Sequence, residues 1–200
     1  LSTGKVSTLL YSNPNNPSWI CFTEEELKTI GTLAKKYDVI VIEDLAYFGM
    51  DFRKDYSHPG VEPYQPTVAH YCDHYLLLIS SSKAFSFAGE RVGCVVMSEP
   101  LYNRTYPDLK RYYTSHRFGH SLVYGALYAL SSGVCHSAQY GLAAMFKAAN
   151  DGLYNFVDSV KEYGRKASIL KKIFTDNGFV IVYDRDIDVP LADGFYFTVS

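Results

Sequence analysis

The chain has 200 residues, of which 48% are hydrophobic and 20% charged, and its formal net charge is −2. This composition is ordinary for a globular protein, and the length suits one domain with a sizeable core, or one domain and part of another. The weak net charge gives no electrostatic footprint for nucleic acid, and every apolar run is too short to cross a bilayer. We therefore expect neither nucleic acid nor a membrane as a partner.

The cysteines bear on cellular location and on metal binding. Their positions have neither the spacing of a disulfide framework nor that of a zinc site: Cys21, Cys72, Cys94 and Cys135. Reduced thiols are typical of the cytoplasm, so we expect a cytoplasmic protein without a metal site.

In chain order, the first predicted elements are a strand and a helix. Val6 to Ser12 is strand-like and ends in NPNNP (residues 13–17), whose residues favour turns. A helix begins after Thr23, because Glu26 completes a capping box at the third helical position. Apolar residues at helical spacing continue that helix to Tyr37.

Three further strands are predicted downstream. Four consecutive β-branched residues, Val39 to Ile42, indicate a strand that is covered on both faces and ends at Glu43 and Asp44. Leu76 to Ile79 indicates another buried strand, and Arg91 to Met97 a third, which runs back antiparallel because its connection is short for a crossover helix. The order strand, helix, strand, loop, strand predicts an α/β fold with a mostly parallel sheet.

The second half of the chain is mostly helical and leads into a second domain. We expect residues 1–149 to belong to a large domain and residues 150–200 to begin a smaller α+β domain. The smaller part opens with a long helical pattern that ends at Gly178, and strand-like sequences follow at residues 179–183 and 195–199. The chain opens without methionine and closes on a strand, so we expect a fragment that lacks both ends of a longer protein.

Polar residues follow three of the predicted strands at their carboxyl ends, where open α/β sheets bind ligands. They provide an amide, a carboxylate, a phenol, hydroxyls, an ammonium and a guanidinium: Asn16, Asp44, Tyr47, Ser80, Ser82, Lys83 and Arg91. Each of these residues alone has an ordinary structural explanation as a cap, a turn residue or a solvated side chain. Their convergence on one edge of a sheet favours a ligand site.

Three sequences carry a family resemblance. SNPNNP (12–17), EDLAYFGM (43–50) and SSSKAFSFAGERVG (80–93), in this order and spacing, resemble the class I/II aminotransferases, which are pyridoxal-phosphate enzymes of fold type I. The family pattern is an Asn-Pro turn, then Asp-x-x-Tyr closing a strand, then Ser-x-Ser-Lys followed eight residues later by Arg and then Gly. The resemblance implies the three-layer, mostly parallel large domain of that fold. It also implies pyridoxal 5′-phosphate as cofactor, an amino acid and a 2-oxo acid as substrates, and a homodimer.

The resemblance further implies roles for the matched residues. Lys83 would form the Schiff base with the cofactor and later move the proton between the substrate Cα and the cofactor's C4′, both of which suit a lysine whose pKa is lowered by burial. Asp44 would pair with the pyridinium nitrogen and keep it protonated. Tyr47 and Asn16 would hydrogen-bond the cofactor's 3′ oxygen.

The phosphate and the substrate complete the implied site. Arg91 would bind the phosphate with its guanidinium, helped by Ser80 and Ser82. The family usually has Thr-Gly after the second Asn-Pro, whereas this chain has Ser18-Trp19. The family's upstream phosphate loop and the arginine for the substrate carboxylate fall outside the sequence, so we expect the fragment alone to be inactive.

Two kinds of alternative stay open at the level of sequence. Another enzyme on the same scaffold, a carbon–sulfur lyase or an amino-acid decarboxylase, would share the lysine, the aspartate and the tyrosine. A non-catalytic α/β module that binds a different phosphorylated ligand would share the fold but would form no covalent adduct with pyridoxal phosphate.

Overall fold

The computed structural model describes residues 1–56, 58–191 and 194–200. Within these residues the larger sheet has four strands, which lie side by side in sequence order: Thr8–Ser12 (β1), Ile40–Leu45 (β2), Tyr75–Ser80 (β3) and Gly93–Met97 (β4). Neighbours β1 and β2 are parallel, as are β2 and β3, whereas β4 is antiparallel to β3. The predicted α/β fold, its mostly parallel sheet and the antiparallel return of the fourth strand are confirmed.

The helices occupy the connections and most of the second half. They are Glu24–Tyr37 (α1), Glu99–Asn103 (α2), Phe118–His120 (α3), Tyr128–Ser131 (α4), His136–Asn150 (α5) and Phe156–Asp176 (α6). A π-helical segment, Ser121–Leu127, joins α3 to α4. None of the helices in the described part of the chain combines the length and the apolar character needed to cross a membrane.

Helix α1 forms for the local reasons that the sequence indicates. The Thr23 hydroxyl accepts a hydrogen bond from the Glu26 backbone at 3.3 Å, and the Glu26 carboxylate accepts one from the Thr23 backbone at 2.7 Å. The helix ends at Asp38, which adopts the left-handed conformation at φ 52°. On its buried face, Gly31 lies so close to Tyr71 that a Cβ at this glycine would be 2.5 Å from the Tyr71 Cβ. This close approach requires glycine and fixes the distance between α1 and the loop before β3.

A second hydrophobic cluster supports the loop that carries Lys83. Ala84 and Phe85, which directly follow the lysine, are buried together with residues of α5 and the start of α6. The Phe85 ring lies 4.7 Å from the Phe156 ring, measured between centroids. The backbone on the carboxyl side of Lys83 is therefore held by core packing.

The second half differs from the predicted elements in two places: the start of the long helix and the length of the last two strands. The long helix is α6, which begins at Phe156, where the Asn155 side chain caps it by accepting a hydrogen bond from the Asp158 backbone at 3.1 Å. The strands predicted at residues 179–183 and 195–199 are reduced to an antiparallel bridge between Ile181 and Val199.

The shortened strands are covered on one side only. Phe174 of α6 packs against Phe179 and Phe197, whereas Val180 and Val182 are 62% and 47% exposed, and two short paired segments form only a marginal ladder. A two-residue hairpin, Arg185–Asp186 (β5) with Val189–Pro190 (β6), stands between them instead. The proposed division into residues 1–149 and 150–200 stays a prediction.

Candidate functional site

The parallel register aligns the carboxyl ends of the first three strands. Ser12 pairs with Asp44, and Asp44 pairs with Leu78 of the next strand. The residues that follow each strand therefore leave the sheet at the same edge, as the sequence predicts for a ligand site in an open α/β sheet.

A cavity of about 330 Å³ lies at this edge. Asp44, Ser80, Ser82 and Arg91 contribute its polar groups, and its remaining walls come mainly from β3 and β4. The volume falls at the lower end of the range of roughly 300–1,000 Å³ that small-molecule sites occupy. The structure thus brings together four of the residues that the sequence singles out, from the ends of β2 and β3 and the start of β4.

The two most voluminous cavities formed by the described residues lie away from these four side chains. They measure about 910 and 750 Å³ and are lined mainly by the loop after β2, with α6 on one side of the smaller of them. Both share Arg53 and Lys54 but contain none of the strand-end residues. Because site chemistry depends on convergent polar groups rather than on volume, we place the candidate site in the 330 Å³ cavity at the edge of the sheet.

Asp44 is held in place by its backbone and its side chain. Its carbonyl oxygen accepts a hydrogen bond from the Asn13 backbone at 2.9 Å, and its Oδ1 accepts one from the Ala46 backbone at 3.0 Å. The side chain is only half-buried. Its carboxylate therefore keeps acceptor capacity on the cavity side for a cationic or N–H donor.

The serines and the arginine form a compact donor set. Ser80 Oγ accepts a hydrogen bond from the Ser82 backbone at 3.1 Å. Ser81, which lies between these two serines, is buried, and its hydroxyl donates to the carbonyl of Val92. Its side chain therefore closes the loop and does not line the cavity. Arg91 is exposed and donates from Nη1 to the Ala88 carbonyl at 2.8 Å, which leaves most of its guanidinium N–H groups for an anion.

Asn16 and Tyr47 form a separate pair. The Asn16 amide donates to the Tyr47 hydroxyl at 3.2 Å, and the Tyr47 hydroxyl lies 2.8 Å from that of Tyr196. Burial raises the pKa of the Tyr47 phenol, and the Tyr196 hydroxyl raises it further. Neither Asn16 nor Tyr47 lines the 330 Å³ cavity, so the structure places them beside each other but not at its wall.

Lys83 lies next to the cavity. The residue is half-buried, and its backbone carbonyl accepts a hydrogen bond from Ser86 at 3.1 Å. Its ammonium has no hydrogen bond or ion pair with any residue that the structure describes. Although Lys83 does not line the cavity, its neighbour Ser82 does.

Trp19 occupies the position at which the family pattern has glycine. Its backbone is left-handed at φ 60°, a conformation that favours glycine. The side chain is fully buried, and its ring lies 4.8 Å from the Tyr47 ring. A Cβ on Gly194 would lie 1.9 Å from the indole, so the C-terminal segment packs directly on Trp19. The loop keeps the backbone conformation of a glycine but carries a buried ring.

The sequence does not single out Glu43 and Tyr196, although both contact residues of the candidate site region. Glu43 is fully buried and accepts hydrogen bonds from the Asn13 side chain and the Val68 backbone, both at 3.0 Å. Burial raises the pKa of Glu43, and those hydrogen bonds lower it in part. Strand alternation with Val41 indicates that Glu43 faces the core, whereas no local signal indicates the contact of Tyr196. Among the described residues no cluster of His, Cys, Asp and Glu could hold a metal ion.

Comparisons with known proteins find similar sequences among the aminotransferases. The family model described as "Aminotransferase class I and II" matches residues 2–186. A "Probable aspartate aminotransferase" of Methanocaldococcus jannaschii is 24% identical over 190 residues, which are 86% of this chain and 48% of that protein. The mitochondrial kynurenine/alpha-aminoadipate aminotransferase of Bos taurus is 35% identical over 94 residues, 46% of this chain and 20% of that protein.

Solved structures show the same fold. YbdL from Escherichia coli, for which a methionine aminotransferase function has been identified, superposes with a TM-score of 0.71 at 16% identity, over 98% of this chain and 43% of its own. N-succinyldiaminopimelate aminotransferase from Mycobacterium tuberculosis gives a TM-score of 0.67 at 16% identity, covering 98% of this chain and 41% of its own. The chain thus spans about half the length of the first relative and about two-fifths of these solved chains.

Proposed function

Because the chain belongs to the class I and II aminotransferase family, we propose that it forms the cofactor-binding part of an enzyme that transfers an amino group between an amino acid and a 2-oxo acid. The observation that carries the proposal is the cavity at the carboxyl edge of the sheet, where Asp44 lies beside Ser80, Ser82 and Arg91. Matched relatives are named as transaminases of aspartate, asparagine and kynurenine, which supports this substrate class without selecting one member. We also propose a homodimer in the cytoplasm.

The residues present fit pyridoxal 5′-phosphate, the cofactor of this family. A phosphate needs hydrogen-bond donors and positive charge, and the cavity offers two serine hydroxyls and the Arg91 guanidinium. A pyridine nitrogen that must stay protonated needs a carboxylate, and Asp44 lines the same cavity. This donor set matches both ends of the cofactor.

Each side chain of the candidate site has a separate proposed role. When bound, pyridoxal 5′-phosphate supplies an aldehyde that takes the amino group and a ring that accepts the electron pair of the broken Cα–H bond. Asp44 keeps a proton on the ring nitrogen, Arg91 and the serines hold the phosphate, and Asn16 with Tyr47 donates to the ring oxygen. Lys83 Nζ would hold the cofactor covalently and would move the proton at the substrate Cα.

The attachment of the cofactor to Lys83 is the direct test. The protein from the complete reading frame is loaded with pyridoxal 5′-phosphate, reduced with borohydride and digested, and the modified peptide is mapped by mass spectrometry. We expect the pyridoxyl group on Lys83 and none in a Lys83→Arg variant. A label on Lys35 or Lys110 would contradict the assignment, and no label at all would favour the non-catalytic module. Product analysis with a panel of amino acids then separates transamination from lyase and decarboxylase reactions.

A further inference from the structure

The segment after α6 brings one more phenol to the Asn16–Tyr47 pair. The Tyr47 hydroxyl donates to the Tyr196 hydroxyl at 2.8 Å, although the residues are separated by 149 positions in the chain. With the 3.2 Å bond from the Asn16 amide, they form a continuous chain of hydrogen bonds from Asn16 through Tyr47 to Tyr196. Tyr47 is its central member, so its oxygen contacts both neighbours.

The position of Tyr196 is fixed by aromatic packing. Its ring lies 5.8 Å from the Tyr47 ring at an interplanar angle of 86°, and 6.0 Å from the Trp19 ring, both in edge-to-face contact. The close approach of Gly194 to Trp19 anchors the backbone two residues earlier. Tyr47 is 5% exposed, whereas Tyr196 is 37% exposed. Tyr47 is therefore the more buried of the two residues.

The number of protons decides what Tyr196 can do for Tyr47. A phenol has one proton to donate and can accept two hydrogen bonds. If Tyr47 donates to Tyr196, it has no proton left for a ligand. If Tyr196 turns its hydroxyl and donates to Tyr47 instead, the Tyr47 oxygen accepts from Asn16 and Tyr196 together, and the Tyr47 proton is available. An oxygen that accepts two such bonds also donates more strongly, because hydrogen bonds in a chain polarise one another.

We propose that this hydrogen bond reverses when the cofactor is bound, so that Tyr196 is a positioning residue whose hydroxyl then donates to Tyr47 and thereby orients and polarises the Tyr47 phenol toward the ring oxygen of the cofactor. The inference rests on the proposed function, since it assigns that oxygen as the acceptor for Tyr47. Tyr196 itself acts only through Tyr47.

The test removes the hydroxyl and keeps the ring. Tyr196→Phe is prepared in the protein from the complete reading frame, with Tyr163→Phe as the matched control, because Tyr163 stacks on Phe195 at 4.2 Å in the same aromatic cluster without joining the hydrogen-bonded chain. The readout is the pH at which the absorbance of the lysine-bound cofactor changes. We expect Tyr196→Phe to raise this pH by about half a unit to one unit, the effect of one neutral hydrogen bond.

The physical reason gives the sign of the shift. With a weaker hydrogen bond from Tyr47, the ring oxygen is more basic and holds the proton it shares with the lysine nitrogen up to a higher pH. Tyr163→Phe should titrate like the parent protein. In a Tyr47→Phe background, Tyr196→Phe should add no further shift, because its effect passes through the Tyr47 hydroxyl.

Other results would overturn the inference. An unchanged titration in Tyr196→Phe would show that the hydroxyl has no influence, and a lowered one would make Tyr196 a competitor for the Tyr47 proton. Failure of Tyr196→Phe to fold would make the hydroxyl a folding group and would equally reject a positioning role. The proposed function fails separately, by the absence of a borohydride-stable adduct in the parent protein.

Discussion

Adjacent acidic residues on β2 have different surroundings. Side chains alternate across a strand, so Glu43 points into the core while Asp44 points to the other face, at the cavity. Glu43 bonds to Asn13, which follows β1, and so ties the Asn16 loop to the strand that presents Asp44. Of these two carboxylates, only that of Asp44 lies at the cavity.

Replacement of Asp44 by asparagine tests its assigned role. The neutral amide does not favour a protonated ring nitrogen, so we expect Asp44→Asn to slow amino transfer by on the order of a hundredfold or more, equal to about 2.7 kcal/mol of transition-state stabilisation. Labelling of Lys83 by borohydride should persist. Steady-state kinetics of the parent and variant proteins provide the measurement, and transfer at the parent rate would remove Asp44 from this role.

Replacement of Trp19 by glycine separates backbone strain from packing. Loss of a buried indole costs about 3–5 kcal/mol, and relief of the left-handed conformation returns about 1 kcal/mol. We therefore expect Trp19→Gly to lower the free energy of unfolding by about 2–4 kcal/mol in urea denaturation, even though glycine suits this backbone.

Ser132→Gly is the matched control for Trp19→Gly. Ser132 is also left-handed, at φ 53°, but it is exposed, so only the relief of strain should appear. We expect its free energy of unfolding to be unchanged or raised by up to about 1 kcal/mol. A Trp19→Gly protein as stable as the parent would show that the ring contributes little.

The sequence specifies some of these residues better than others. Asp44, Ser80 and Arg91 could be predicted because they lie at strand ends, and register carries strand ends to one edge of the sheet. The burial of Trp19 and the contact of Tyr196 could not, because both depend on packing between segments far apart in the chain. Their roles in chemistry stay predictions.

At the scale of elements, the sequence predicts correctly those helices and strands that its own neighbouring residues define. Helix α1 has its own cap, its own apolar face and a left-handed end at Asp38, so its neighbours along the chain suffice to define it. The strands predicted at 179–183 and 195–199 have suitable residues but leave Val180 and Val182 exposed, and strand formation depends on packing partners more than on composition. The π-helical segment at Ser121–Leu127 carries no signal that sequence patterns detect.

At the scale of the whole molecule, much apolar surface is open. Large side chains are exposed on the first strand, after the π-helical segment, after α5 and in the β5–β6 turn: Leu10, Tyr128, Leu130, Leu153 and Ile187. Such surfaces mark interaction sites or favour association when they have no partner. The chain spans 48% of the Methanocaldococcus jannaschii relative, and we predict that residues 1–200 alone do not carry out amino transfer.

Residues 1–200 purified alone should therefore self-associate and should not transaminate. Light scattering over a concentration series measures the association, and a panel of amino acids with 2-oxoglutarate measures transfer. The protein from the complete reading frame is the positive control. Monomeric behaviour with ordinary turnover would contradict the expectation.

The strand order has a consequence for how the chain reaches this structure. Ser80 pairs with Gly93 across the short segment that carries Lys83, whereas Thr8 pairs with Ile40 only across the whole of α1. The entropy lost on closing a loop grows with its length, and pairings between nearby residues are made faster. We therefore expect the β3–β4 ladder to nucleate folding. The turn that holds the lysine would then take its shape early, and the parallel pairs of β1 and β2 would assemble onto it.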